Sequence, residues 1–240
     1  MDKFLFILLT FFFSQNFLSR MLRKYSKHGH KQRFFFYKKQ GLNFQKVLDL
    51  GAFEGNWTKM FKRLFPSSQI LMVEANSEKE KILSSVGDYK IVLLGAEDNK
   101  EVDYYKGQNS AQTGNSMFLE NTKIEFKSEK RRTRTLASLL GANECFDLIK
   151  MDVQGSELDI IKGGLNIIKN TKFLLIELQM VEYNKGAPKS EEVIFFLKDI
   201  NFEFIDIFDL LYSNDGRLVQ VDGFFINKRF KESINFKNFN

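Results

Sequence analysis

The chain has 240 residues, 43% hydrophobic and 28% charged, with 27 Phe and only 2 Pro. That composition excludes a disordered or collagen-like chain and fits one large α/β domain with an additional arm. The single cysteine, Cys145, cannot form an internal disulfide, and the only histidines, His28 and His30, lie together near the start, so neither a disulfide framework nor a His-based metal or triad site is expected.

The formal charge of +6 is unevenly spread. Residues 1–40 hold nine Lys or Arg against one acid, Asp2, leaving 27 basic against 29 acidic residues for positions 41–240. A basic face for nucleic acid is therefore not expected on the domain itself. The arm, residues 1–40, opens with an apolar run, Phe4 to Phe13, that is shorter than the roughly 20 residues needed to cross a bilayer. Its basic part includes Arg20, Arg23, Lys24, Lys27, Lys31 and Arg33. Two readings stand side by side: residues 4–33 contact the surface of a membrane, or they pack on the domain as a helix. Either keeps the rest of the chain cytoplasmic, in the first case against the inner face of a membrane.

From Lys46 onward, short β-rich runs alternate with helical ones, which predicts a parallel sheet covered by helices on both faces. Seven strands are expected, at 46–51, 69–74, 90–95, 146–152, 172–178, 202–208 and 220–227. Helical spacing marks "WTKMFKRLF", "SELDIIKGGLNIIK" and "SEEVIFFLKDI". The stretch from Glu101 to Thr135 breaks the rhythm with a loop-like "GQNSAQTGNS" and the alternating "TKIEFKSEKRRTRT". It reads as an insertion between the third and fourth parallel strands, placed to cover a ligand. Its basic run, Lys130 to Arg134, is either a solvated edge strand or a contact for a phosphate-bearing acceptor.

The turn "KVLDLGAFEGNW" follows the first strand. In doubly wound sheets, ligands sit at the carboxyl ends of the strands, and Gly51 and Gly55 permit close backbone approach there, with Ala52 between them. The spacing is not the G-x-G-x-x-G of a dinucleotide fold, and Asp49 precedes Gly51 by two. An anion repels phosphate and attracts a sulfonium or ammonium, so the turn is read as a site for S-adenosylmethionine. Glu74, ending the second strand, can accept hydrogen bonds from ribose hydroxyls, and Ala96 and Glu97, after the third, are expected along the adenine edge.

A second cluster is "DLIKMDVQGSELDIIKGG". Asp152 at its strand end can orient a hydroxyl, take its proton or bind a divalent ion; the residues neither require nor exclude a metal. Gln154 and Glu157 follow, the latter also explicable as a helix N-terminal acid. Glu177, inside the apolar "LLIELQ", needs a polar partner and is expected beside Asp152.

These residues resemble the FkbM-like methyltransferases, a branch of the class I S-adenosylmethionine-dependent enzymes. The likeness runs from about Val47 to Asn227 and rests on "VLDLGAFEGNWT", "VEAN", "LLIEL" and above all "IKMDVQGSELDIIKGG". It implies a Rossmann-like class I fold, cofactor contacts by Asp49, Gly51, Gly55 and Glu74, a site acid at Asp152, and support from Gly155 and Glu157. Phe53 stands where the family often has Asn, and Ala75 where it often has Pro. The resemblance implies O-methylation of a hydroxyl, such as those of sugars and polyketides, without fixing the acceptor, and a sugar, glycolipid or related metabolite is expected. The readings that compete are a non-catalytic cofactor-binding module of a glycan-assembly complex and an NAD-dependent oxidoreductase.

Overall fold

The computed structural model describes residues 29–107, 114–122, 124–213 and 215–231. Most of the expected arm, residues 1–28, lies outside them, as does the stretch 108–113 of the insertion.

Seven strands form one sheet: β1 (Lys46–Leu50), β2 (Gln69–Glu74), β3 (Tyr89–Ile91), β6 (Leu148–Met151), β7 (Phe173–Gln179), β8 (Phe202–Tyr212) and β9 (Leu218–Asn227). Their order is β3-β2-β1-β6-β7-β9-β8. The first five are parallel, and β9 runs antiparallel between β7 and β8. This is the mostly parallel, Rossmann-like α/β sheet anticipated from the alternation of runs. The central strands are apolar on both faces because both are covered: Val47, Leu48 and Leu50 of β1 have no exposed surface. The outermost strand, β8, carries three register shifts against β9, between Phe204 and Asp206, Ile207 and Leu210, and Leu211 and Tyr212.

Two cores flank the sheet. One face gathers the aliphatic residues of α4 (Leu136–Leu140), α5 (Glu157–Gly163), α6 (Leu165–Lys169) and α7 (Ser190–Asp199), with Ile149, Leu174 and Ile176 beneath them. The other face is aromatic, where α1 (His30–Lys39) and α2 (Asn56–Leu64) bring Phe34, Tyr37 and Phe61 onto Phe44, Phe65, Phe173, Phe208 and Phe224. Phe34 meets Phe61 and Phe208 edge-on, each at 4.8 Å between ring centroids. Among the described residues, the Phe side chains of this face serve packing, and α1 takes part in it. Arg33 of α1 also pairs with Asp206 of β8. Among the described residues, the end of the expected arm, residues 30–39, forms α1, while most of the stretch 4–33 lies outside them. No helix among them is long and apolar enough to cross a membrane.

The expected third strand stops early, at Ile91 rather than at residue 95. The predicted helix over 156–169 is split at Gly164 into α5 and α6. Gly163 is tight there: a Cβ would lie 2.3 Å from the carbonyl oxygen of Gly95. The remaining described helices are short, α3 (Glu80–Leu83) and α8 (Lys228–Lys231). The insertion forms a separate antiparallel pair, β4 (Glu101–Gly107) with β5 (Phe126–Arg132). Its basic run is spent locally. Lys130 pairs with Asp103 at 2.9 Å, Arg132 with Glu101 at 3.5 Å, and Arg131 donates to the Ala75 carbonyl at 2.6 Å.

Candidate active site

A cavity of about 300 Å³ opens at the carboxyl ends of β1, β2, β6 and β7, roofed by the insertion. Its walls include Gly51, Ala52, Glu74, Asp152, Gln154 and Glu177 from the sequence reading, together with Trp57, Val92, Leu94, Tyr104, Asn115 and Ser116.

The turn after β1 is fixed by its own backbone. Gly51 has φ +74°, and a Cβ there would lie 1.8 Å from the carbonyl oxygen of Asp152, so only glycine fits. The amides of Gly51 and Ala52 both donate to Val73 O, at 2.9 and 3.2 Å, and that of Phe53 donates to Glu74 Oε2 at 2.7 Å. These three N–H groups are therefore not available to a phosphate.

Asp49 plays a different part from the one expected. It is fully buried and does not line the cavity. Thr58 donates to its Oδ2 at 2.7 Å, and Lys150 Nζ faces its Oδ1 at 3.3 Å. The register explains the pair, since Asp49 and Lys150 are direct neighbours on parallel strands. Its charge is answered inside the sheet rather than presented to a ligand. Gly55, likewise outside the cavity wall, adopts φ +69° at the start of α2.

Glu74 lies at the cavity's edge, and each of its oxygens accepts one backbone N–H, from Phe53 and Asn76, both at 2.7 Å. Burial pushes its carboxyl above the usual range. Each oxygen keeps a further lone pair for a ligand hydroxyl. Ala96 and Glu97 do not reach the cavity. Because β3 ends at Ile91, Val92, Leu93 and Leu94 form the wall, while Gly95 N donates to Arg134 O and carries the chain away. Glu97, two-thirds exposed, pairs with Lys100.

The acids of β6 and β7 do come together. Gln154 Nε2 donates to Asp152 Oδ1 at 3.0 Å and to Glu177 Oε2 at 2.9 Å. Gln154 does so from the left-handed region, φ +56°, a strained position for a residue with a side chain. Lys150 Nζ approaches the other oxygen of Asp152 at 3.4 Å and donates to Gly51 O at 3.1 Å. Burial opposes its charge, but Asp152 and Asp49 outweigh that and raise its pKa. Burial, reinforced by Asp152, holds the Glu177 carboxyl well above the normal range. Glu157, first residue of α5, is behind the wall and receives the Val153 N–H at 3.0 Å, so it fastens the turn after Asp152. Burial lifts its pKa to about 7.

Several contributors were not visible in the sequence. Trp57 of α2 lines the cavity and donates its indole N–H to His30 Nδ1 at 2.8 Å. His30 Nε2 meets Asp222 at 2.6 Å, and Asp222 is the cross-strand neighbour of Glu177. Thus a histidine assigned to a polar arm buttresses the site. Only the β7–β9 register and the fold of α1 bring these residues together. Among the described residues, no group of three or more His, Cys, Asp or Glu side chains is placed to hold a metal ion.

The profile of the methyltransferase FkbM domain matches residues 49–204, more than half of the chain and the whole stretch from the first strand through the second acid cluster. This chain belongs to the FkbM methyltransferase family. A relative of this FkbM domain, the 2-O-methyltransferase NoeI of Sinorhizobium fredii, is 26% identical in an alignment 160 residues long that covers 58% of this chain and 65% of NoeI. The match thus spans a little under two thirds of that relative's length. Among solved structures, an S-adenosylmethionine-dependent methyltransferase from Clostridium acetobutylicum aligns over 88% of this chain and 98% of its own, with 14% identity and a TM-score of 0.44. A SAM-dependent methyltransferase from Aquifex aeolicus aligns over 82% and 90%, with 16% identity and a TM-score of 0.38.

Proposed function

We propose that this FkbM domain transfers a methyl group from S-adenosylmethionine to a hydroxyl oxygen of a small molecule or glycan, a sugar or glycolipid in particular. The observation that carries the reading is the pairing of Asp152 and Glu177 through Gln154, in a cavity whose opposite edge holds Glu74. The family supports methyl transfer, and NoeI's description as a 2-O-methyltransferase supports an oxygen acceptor. The paired charges of the 130–134 run speak against a nucleic-acid acceptor.

The residues present fit S-adenosylmethionine. Glu74 would accept from its ribose hydroxyls, and the backbone at Gly51 and Ala52 would lie along it. Once bound, it supplies an electrophilic methyl on a positively charged sulfur. Asp152 receives the acceptor's proton as the oxygen attacks, since an alcohol is too weakly acidic to lose it beforehand. Lys150 and Gln154 hold one oxygen of Asp152 each, which sets the direction of its remaining lone pairs. Holding two reactants in line can lower the barrier by several kcal/mol.

Calorimetric titration with S-adenosylmethionine and with NAD, followed by incubation with methyl-labelled donor and fractionated glycans, lipids and small metabolites, tests the reading. Binding of the methyl donor and label in a hydroxyl-bearing fraction are expected. Binding of NAD alone would refute it.

A further inference from the structure

We propose that Tyr104 and Asn115, both contributed by the insertion, bind the nucleoside end of the methyl donor. The inference rests on the S-adenosylmethionine reading above and assigns the insertion a role in cofactor recognition, beyond covering the acceptor.

Tyr104 of β4 is 1% exposed, yet its hydroxyl has no hydrogen-bond partner among the described residues. The Asn115 Nδ2 is buried and unpartnered in the same way. The two side chains are neighbours. Both line the cavity. Buried donors in native proteins nearly always find a partner, so two orphans on residues that line one cavity point to a ligand that supplies acceptors.

Each group is held in place. Asn115 Oδ1 accepts from Gly107 N at 2.8 Å, which leaves the amide's other end, Nδ2, as the donor. The guanidinium of Arg131 lies 4.7 Å from the centre of the Tyr104 ring, and its Nη1 bonds to Ala75 O, so the ring is tied to the turn that follows Glu74. Glu74 itself is close enough to bear on the phenol electrostatically. Ser116, which follows Asn115 and exchanges backbone hydrogen bonds with Tyr105, donates its Oγ to Gln154 O at 2.7 Å, beside the Asp152 cluster.

The chemistry is complementary. The Glu74 carboxylate accepts, whereas Tyr104 Oη and Asn115 Nδ2 donate. A nucleoside answers both, with ribose hydroxyls as donors and ring nitrogens and ribose oxygens as acceptors. A phosphate would call for free cations, and here Arg131 is tied to Ala75 O and Lys106 is paired with Glu78 at 3.1 Å.

Titration calorimetry with S-adenosylhomocysteine and with 5′-methylthioadenosine, which lacks the amino-acid part, tests the assignment on wild type, Tyr104→Phe and Asn115→Asp. Tyr104→Phe is expected to weaken both ligands by the same factor, roughly two- to tenfold for one neutral hydrogen bond. Asn115→Asp, which keeps an acceptor for Gly107 but turns the donor into an acceptor, is expected to weaken both further. The Tm of ligand-free Tyr104→Phe should be no lower than wild type, because the lost hydroxyl had no partner. Wild-type affinity in both variants, loss of S-adenosylhomocysteine alone, or a lowered Tm of the ligand-free Phe variant would each overturn the assignment. Failure of the wild type to bind either nucleoside would instead overturn the methyl-donor reading on which it stands.

Discussion

Lys150 Nζ lies 3.3 Å from Asp49 Oδ1 inside the sheet, one strand apart, with both side chains almost wholly removed from solvent. A buried pair is costly to break from one side, because the survivor keeps its charge without compensation. Lys150→Met should destabilise the protein by about 3–5 kcal/mol in urea unfolding. Adding Asp49→Asn should recover part of that loss, and a double variant no better than the single one would show the two residues to be uncoupled.

Asp152 is 42% exposed in its side chain and is the acid of this cluster best placed to meet an acceptor hydroxyl. Asp152→Asn should lower turnover by about 10²–10⁴, the usual worth of a positioned proton acceptor, while S-adenosylhomocysteine affinity in calorimetry changes by only a few-fold. Equal losses in both would place Asp152 in cofactor binding rather than proton transfer.

Glu157 carries a pH prediction whose sign follows from its burial. Burial lifts its pKa to about 7 in the folded chain, against 4.5 for an ordinary glutamate. Between those values the folded protein holds a proton that the unfolded chain has released, so stability falls as pH rises through this window. At 1.36 kcal/mol per unit the loss approaches about 3 kcal/mol above pH 7. Glu157→Gln still accepts the Val153 N–H and should flatten the curve, adding about 1–3 kcal/mol at pH 8 in denaturant melts. Glu177, raised in the same direction, leaves a residual slope of the same sign in the variant.

Phe34, from α1, contacts the rings of both α2 and β8. Phe34→Ala should cost about 3–5 kcal/mol of global stability, as truncation of a buried aromatic does. A loss confined to local fraying, seen as amide exchange limited to residues 30–39, would mean that α1 is detachable.

The two acid clusters were legible because each ends an apolar run, and strand ends in a parallel sheet all open on the same crevice. The boundaries of β1, β2 and β7 followed for the same reason, being apolar on both faces. What escaped was set by pairing between distant strands. The Asp49–Lys150 contact needs the β1–β6 register, so Asp49 looked free to face a ligand. Val92 to Leu94 are apolar because they wall a cavity, and apolarity alone reads as a longer strand, which pushed the expected cavity residues on to Ala96 and Glu97. His30 and Asp222 are 192 positions apart and meet only because β9 is inserted beside β7.

The three slips in register along β8 bear on how molecules of this protein meet one another. A straight outermost strand would offer a regular row of unpaired amides and carbonyls on which a second chain could crystallise its own ladder. Each slip kinks that row and swings the strand out of plane, and the Arg33–Asp206 pair falls within the kinked stretch. The irregular rim thereby acts as a guard against sheet-to-sheet fusion in a chain unusually rich in aromatic residues.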